Sequence, residues 1–412
     1  MKIVRIIARL NVGGPARHVV WLTEAMQSGE FDSVLISGIV PEGEEDMSYF
    51  AAQHSVVPII IPEMSRELSP KDAVSLWKVY RRFLKEKPDI IDTHTAKAGT
   101  VGRAAGFLYR WLTFGAVIGR PRPVRFVHTY HGHVFHSYYG KLKTNFFLFV
   151  EKMLARVTDV IIVVSEQQKA EINNRFRVGK TKQFTVMACG IDLSVFKDWK
   201  AKRNILRQEI GCGDDEIIVG IVGRLTEIKN HSLFLQTAKL YKDLRNTDSE
   251  IPALRFVIVG DGHLRAQLER EAKDLGVEDA VIFLGNRADP DVFHAGFDIE
   301  ALTSLNEGSP FVLIEAMANA RPIISTAVGG VVDLLGAVER ETDGFAVCER
   351  GVRVPPDDPE AFSKGLIYLA KNEKLRGDLE IRGLEYAVSN YSKARLITDV
   401  KKLYRDLIRE SG

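Results

Sequence analysis

EIIVGIVGRLTEIKNH, residues 216–231, is the stretch that decides the fold. After Glu216 the next six residues, IIVGIV, are apolar or glycine with no alternation, which is how a strand covered on both faces reads. The run stops at Gly223-Arg224, and a helical pattern opens near Asn230-His231. A strand that passes through a glycine turn into a helix is the repeating unit of a parallel, doubly wound sheet. The chain begins the same way, with KIVRIIA (2–8), then Gly13-Gly14, then a helix from about 16 to 26.

Each start is followed by its own series. After the first come strand candidates 33–39, 56–61, 89–92, 124–129 and 159–164, with helices at 70–86 and 142–157. After the second come 254–259, 280–284, 298–303 and 322–325, separated by helices near 230–245, 262–275, 312–319 and 328–335. The polar stretch 192–204 joins the two series and is expected to be the hinge. Residues 359–408 are charged and helical throughout, and 386–412 is expected to cross back to the first domain. The reading is α/β, with two Rossmann-like domains (1–191 and 192–385) facing a central cleft. Ligands of such sheets bind outside the carboxyl ends of the strands, so one site is expected in that cleft.

Composition narrows the class. The 412 residues are 45% hydrophobic and 27% charged, ordinary for a globular protein with two cores. A net charge of +2 gives no case for nucleic acid as a partner. Cys189, Cys212 and Cys348 are odd in number and scattered, which argues against a disulfide framework or zinc site and for a reducing compartment. Arg5 and Arg9 interrupt the apolar N-terminus, so it reads as a buried strand and not as a signal peptide. No run of about 18 apolar residues occurs. A cytoplasmic location is expected. The small net charge conceals an asymmetry. Residues 93–150 hold no Asp or Glu but eight bases (Lys97, Arg103, Arg110, Arg120, Arg122, Arg125, Lys141 and Lys143), leaving −6 on the rest of the chain. Aromatic residues are interleaved with them, which suggests an anionic membrane surface or a phosphorylated acceptor as partner.

Chemistry concentrates at strand ends. The strongest constellation is Glu307-Gly308-Ser309-Pro-Phe311-Val312-Leu-Ile-Glu315. Backbone N–H groups at a helix start near Val312 suit a phosphate, and Glu315 lies one turn inside, able to accept from a ribose diol. In isolation such a pair is more often a turn glutamate and a solvated helix glutamate. Arg224 and Lys229 offer a planar fork and a point charge to phosphate oxygens, or else a strand-end cluster paired with Glu227. Gly260-Asp-Gly262 is half a dinucleotide fingerprint and weak alone. Gly13 and Gly14 permit close backbone approach, although a plain tight turn is the commoner explanation.

Four histidines, His128, His131, His133 and His136, fall within nine residues. On a continuous strand His131 and His133 would share one face, and no carboxylate lies within the stretch. A cleft-lining histidine able to donate hydrogen bonds or to titrate near neutrality is therefore preferred to a metal site. Asp289-Pro-Asp291 reads as the start of a short helix and not as a metal-binding pair. No metal and no cofactor are expected.

Taken in order along nearly the whole chain, these segments resemble glycosyltransferase family 4, retaining enzymes of the two-domain GT-B type. The resemblance runs through Gly13-Gly14-Pro-Ala-Arg-His, Asp-Thr-His94-Thr, His131-Gly132, Gly190-Ile-Asp192, Gly223-Arg224 with Lys229, and Val-Gly260-Asp-Gly262. It continues through Leu-Gly285-Asn286-Arg287 and the Glu307/Glu315 pair with its Glu-Ala-Met-Ala-Asn-Ala-Arg-Pro continuation. Two departures are Ser309-Pro310-Phe311, where the family often has Phe-Gly or Phe-Pro, and Met187-Ala-Cys189, where Pro-Asn is frequent.

The resemblance implies roles. Arg224 and Lys229 would bind the donor diphosphate, helped by backbone at Gly14, Phe311 and Val312. Glu315 would hold the ribose, Glu307 would lie near the donor sugar, and His131 would contact the transferred sugar. The base would lie near Gly285–Arg287. It implies transfer from a nucleotide diphosphate sugar, most commonly a UDP-sugar, to a glycan or polyprenyl-linked acceptor, without a metal. His94, Lys97, Arg120, Arg122 and Arg125 are candidates for the acceptor side or a membrane. The rival readings are a GT-B-shaped epimerase or phosphorylase, and a nucleotide-binding module without catalysis.

Overall fold

The structure, a computed structural model, describes every residue except 12, 28, 42–45, 65–70, 132–140, 214 and 410–412, and the side chains of 141–143. Two compact units divide the chain: Met1–Gly190 with Lys393–Gly412, and Ile191–Ser392.

In the first unit, strands β1 (Lys2–Ile7), β2 (Asp32–Ser37), β3 (Ile59–Ile60), β4 (Ile90–His94), β5 (Arg125–Thr129), β6 (Val160–Val163) and β7 (Phe184–Val186) form one sheet in the order 3-2-1-4-5-6-7. All its neighbours are parallel. In the second unit, β8 (Ile217–Val222), β9 (Leu254–Val259), β10 (Val281–Gly285), β11 (Ile299–Leu302), β12 (Ile323–Thr326), β13 (Val338–Glu341), β14 (Ala346–Cys348) and β15 (Gly351–Val354) follow the order 10-9-8-11-12-15-14-13. The core orders 3-2-1-4-5 and 10-9-8-11-12 are the same topology. Each reverses direction beside its first strand, which opens a crevice at the carboxyl ends of β1 and β4 in one unit and of β8 and β11 in the other.

Continuous apolar runs build these strands because helices cover both faces. Val219, Ile221, Phe256, Ile258 and Ala301 are buried in one core, and Val4, Ile6, Ile91 and Phe126 in the other. Arg5, expected only to interrupt the first strand, is fully buried. Its guanidinium donates to Asp92 (3.0 Å), Thr23 (3.1 Å), Ser33 (3.0 Å) and Tyr404 (3.1 Å). Tyr404 lies on the last helix, Lys393–Arg409, whose Leu396, Val400, Tyr404 and Leu407 form an i, i+4, i+8, i+11 stripe packed on Ile3, Leu22 and Met26 of the first unit. That helix starts at Lys393, seven residues beyond the expected 386.

One expectation needs refining, and two features were not foreseen. The stretch 192–204, expected as the hinge, opens the second unit with a turn at Leu193–Phe196 and the helix Trp199–Glu209. Its charges are used in ion pairs, Arg203 and Arg207 with Asp298 and Lys202 with Asp291. Strands β13–β15 were not foreseen, because β13 (VERE) is exposed along its length and carries no burial pattern. β7, three residues long, is too short to show a period.

Candidate functional site

The β8–β11 crevice gathers residues from opposite ends of the second unit's sequence. Arg224 follows β8 and is exposed, and its guanidinium has no hydrogen-bond or ion-pair partner among the described residues. Two glycines hold its loop. A Cβ on Gly260 (φ +135°) would lie 2.0 Å from the Gly223 carbonyl oxygen, so only glycine lets the two strand ends approach. The half-fingerprint Gly260-Asp-Gly262 thus packs against the Arg224 loop. Glu227, the expected partner of the cations, pairs instead with His263 at 3.0 Å.

Lys229 is committed differently. Its Nζ lies 2.6 Å from Glu307 Oε1, which also accepts from the Ser304 hydroxyl at 2.6 Å. Thr303 Oγ1 donates to the carbonyls of Lys229 and Asn230, both at 2.9 Å, and Thr326 Oγ1 donates to the Ser304 carbonyl at 2.6 Å. A Cβ on Gly329 (φ +51°) would sit 1.7 Å from the Glu307 carbonyl oxygen, so a second glycine permits this loop to close. The side chain of Glu307 is only 11% exposed.

Beyond Gly308 and Ser309 the helix Phe311–Ala318 begins with Pro310 as its cap and no side chain bonded to its first N–H groups. Those donors, at Phe311 and Val312, are the ones the helix leaves for an anion. Glu315 is 17% exposed, and its Oε2 lies 3.7 Å from Nε2 of buried His294. Arg287 is locked by Asp289 (2.9 and 2.6 Å) and Glu209 (2.6 Å). Its side chain is therefore a loop clamp, and Gly285 accepts from the Gly260 N–H at 2.8 Å. Asn286 between them is exposed. The expected Asp289-Pro-Asp291 helix start is present as Pro290–Gly296.

In the first unit the β1–β4 crevice holds a polar chain. Asp92 accepts from Tyr404 Oη at 2.6 Å and Arg5 Nε at 3.0 Å, and its Oδ2 lies 2.9 Å from His94 Nε2. His94 Nδ1 lies 2.9 Å from His131 Nε2. Burial disfavours the charge of Asp92, but His94 and Arg5 more than reverse this and hold it well below the usual carboxylate range. Burial, aided by His94, pushes His131 down to about 3. Of the two roles expected of a cleft-lining histidine, titration near neutrality is not favoured here, and hydrogen bonding is.

His128 is corrected too. It is fully buried, 2.9 Å from Thr93 Oγ1 and edge-on to Tyr130. The strand ends at Thr129, so the shared-face argument for His131 and His133 does not apply; Gly132, His133 and His136 lie outside the described residues. His18 was missed as a site residue, although it ends the quoted Gly-Gly-Pro-Ala-Arg-His segment. It is carried in by the helix Gly14–Glu24, which opens at Gly13 without a side-chain cap, and its ring centroid is 4.9 Å from that of His131. His18, His94 and His131 form one group whose ligand atoms lie within 4.8 Å of one another, a donor set able to take a transition metal. The signal was legible only in three dimensions, since residues 18, 94 and 131 come from three separate elements.

The basic stretch is narrower than its composition suggested. Arg103 is buried on Glu151 (2.7 Å), Lys97 pairs with Asp72, and Arg125 pairs with Asp159 at 2.9 Å. Arg122 lies over the Tyr109 ring. What remains outward is largely apolar: Phe114 (83% exposed), Val117 (82%) and Ile118 (61%) with Trp111, Leu112, Phe146 and Phe149, beside exposed Arg120. A cavity of about 260 Å³ lined by Phe107, Arg110, Trp111 and Arg156 adjoins this surface.

The chain resembles known proteins over its full length. Residues 12–195 match the family model described as Glycosyltransferase Family 4, and residues 202–385 match the one described as Glycosyl transferases group 1. It is 28% identical over 357 residues to the UDP-Gal:alpha-D-GlcNAc-diphosphoundecaprenol alpha-1,3-galactosyltransferase of Escherichia coli, covering 86% of this chain and 85% of that one. It is 26% identical to the capsular polysaccharide biosynthesis glycosyltransferase CapM of Staphylococcus aureus, over 85% and 86% of the two chains. Among solved structures, Anabaena Alr3699/HepE in complex with UDP superposes with a TM-score of 0.75 at 20% identity, covering 98% of this chain and all of that one, a likeness of fold. With the two matched halves following in order along two sheets of like topology, the chain belongs to the glycosyltransferases, joining a family 4 N-terminal half to a group 1 C-terminal half on the GT-B fold.

Proposed function

We propose that this glycosyltransferase is a retaining, metal-independent hexosyltransferase that moves a sugar from a UDP-sugar to a hydroxyl of a lipid-linked saccharide in cell-surface polysaccharide synthesis. The observation that carries the donor side is Arg224, an unpaired cation at the end of β8, set with the Lys229–Glu307 pair and the uncapped helix at Phe311. Arg224 and Lys229 bind the departing diphosphate, the Phe311 and Val312 N–H groups assist, and Glu315 takes the ribose. From the first unit, His131 contacts the transferred sugar, and the backbone at Gly13 and Gly14 serves the phosphates. Neutralising the leaving group with fixed cations and N–H dipoles supplies electrostatic stabilisation of the transition state without a metal.

The acceptor side rests on the relatives' chemistry and on the outward apolar surface. The Escherichia coli relative acts on a diphosphoundecaprenol-linked sugar. Phe114, Val117 and Ile118 beside Arg120 suit partial insertion into an anionic leaflet, where each base near the surface adds about 1 kcal/mol. Docking there would bring the enzyme to a membrane-held acceptor.

The test incubates purified protein with UDP-glucose, UDP-galactose and UDP-N-acetylglucosamine, with and without N-acetylglucosaminyl-diphosphoundecaprenol in vesicles. Acceptor-stimulated UDP release and an α-linked product by NMR are expected. Epimerised nucleotide sugar without UDP release would establish the epimerase reading, and donor binding without turnover the module reading. Binding to anionic but not zwitterionic vesicles, weakened by salt and by Phe114→Ser/Val117→Ser/Arg120→Glu, is the outcome the membrane reading requires.

A further inference from the structure

Beneath Glu315 lies a charged pair that the proposed function does not use. His294, in the helix Pro290–Gly296, and Glu300, in the otherwise apolar strand β11, are both fully buried. His294 Nδ1 lies 3.0 Å from Glu300 Oε2. Its other nitrogen, Nε2, is buried with no hydrogen-bond partner among the described residues, and Glu315 Oε2 lies 3.7 Å from it. The ring is wedged between Phe293 and Phe297, with centroids 4.6 and 6.2 Å away, so its direction is set by packing. Replacing a buried ion pair with apolar side chains is often neutral or stabilising, so stability alone is a poor reason for this one. Its open end faces the residue assigned to the nucleotide's ribose.

We propose that His294 is a positioning residue for the donor. Backed by Glu300, it turns its Nε2–H toward Glu315 and holds that carboxylate aimed at the ribose hydroxyls. The inference rests on Glu315 being the ribose ligand. Among the charged groups around the ring, Glu300 faces it from β11 and Glu315 from the helix Phe311–Ala318. The helix Trp199–Glu209 directs Lys202 to Asp291, and Arg203 and Arg207 to Asp298. Arg321 acts on Glu300 and bonds to the Asn319 and Phe297 carbonyls. Burial works against a charge on His294, yet the two carboxylates outweigh it and push the ring up to about 9. The imidazolium is therefore present at neutral pH and lost as pH rises through about 9.

The test compares affinity for UDP, GDP and ADP with that for their 2′,3′-dideoxy counterparts, by calorimetry on the full chain. One charge-assisted bond to the diol predicts a preference of about tenfold or more for the intact ribose in the parent protein. His294→Phe is expected to reduce that preference to near unity while leaving the dideoxy affinities unchanged. Because His294→Phe strands Glu300, the double variant His294→Phe/Glu300→Leu restores an apolar pair and must show the same loss in a protein whose Tm matches the parent. In Glu300→Gln the preference should decline at lower pH than in the parent, which holds it to about pH 8. A parent with no ribose preference for any nucleotide would overturn the reading of Glu315 itself. A parent that prefers the intact ribose, with both His294 variants preserving that preference, would overturn the role of His294 alone, as would superimposable pH profiles for the parent and Glu300→Gln.

Discussion

Arg224 and Lys229 stand at the same strand end, but the structure separates what their removal should do. Arg224 is exposed and has no partner among the described residues, so Arg224→Ala removes no contact seen in the folded state. Its effect should appear only when a diphosphate is bound. Losing one charge-assisted phosphate contact costs about 1.5–3 kcal/mol, which is about 10- to 150-fold in UDP affinity. Lys229 is 23% exposed and bonded to Glu307, which is 11% exposed and also accepts from the Ser304 hydroxyl. Removing the ammonium from beside that carboxylate should cost about 1–3 kcal/mol of stability, less than for a fully buried pair because both groups retain some solvent. For a unit of roughly 200 residues that is a fall in Tm of about 2–10 °C. Calorimetric titration with UDP and thermal melts of the two variants make the comparison. Arg224→Ala should bind weakly and melt like the parent, Lys229→Ala should bind weakly and melt early, and adding Glu307→Gln should recover the Tm but not the binding. Parent-like UDP affinity in Arg224→Ala would refute the diphosphate site, and an unchanged Tm in Lys229→Ala would refute the reasoning about Glu307.

Asp92→Asn strands the buried Arg5 guanidinium and should cost about 3–5 kcal/mol in urea unfolding. Asp92 titrates below its ordinary value when folded, so its stabilisation is complete above about pH 4 and disappears as pH falls. The variant's stability should accordingly be flatter than the parent's between pH 5 and 2, and an equally steep acid limb would contradict the assignment. Tyr404→Phe removes the hydroxyl bonded to Asp92 and Arg5 and should lower stability by about 1–3 kcal/mol without altering UDP affinity. Turnover should persist after dialysis against a chelator. Loss of turnover restored by zinc or manganese, and abolished by His18→Ala, would instead assign a metal to the histidine group.

Much of the fold was legible because its signals are local. An unbroken apolar run such as 217–222 is buried on both faces, so burial and sequence carry the same pattern, and the following glycine turn marks the strand's carboxyl end. β13 escaped because an exposed strand has no such pattern, and Trp199–Glu209 escaped because charges that form ion pairs look in sequence like charges that face water. At the site, residue types at strand ends could be read directly: Arg224, Lys229, Glu307 and Glu315 were all named from their placement beside turns and helix starts.

The sequence by itself determined that two sheets with parallel cores form, where those core strands end, and which polar residues stand there. Only the tertiary structure decided how those residues are spent. It joined Lys229 to Glu307 across 78 positions and His94 to His131 across 37, and left Arg224 without a partner among the described residues. It also placed three of the eight bases of 93–150 in ion pairs with acids lying outside that stretch. The reason is physical: hydrophobic periodicity is written along one element, whereas an ion pair or a chain of hydrogen bonds depends on side chains that meet only after separate elements have packed.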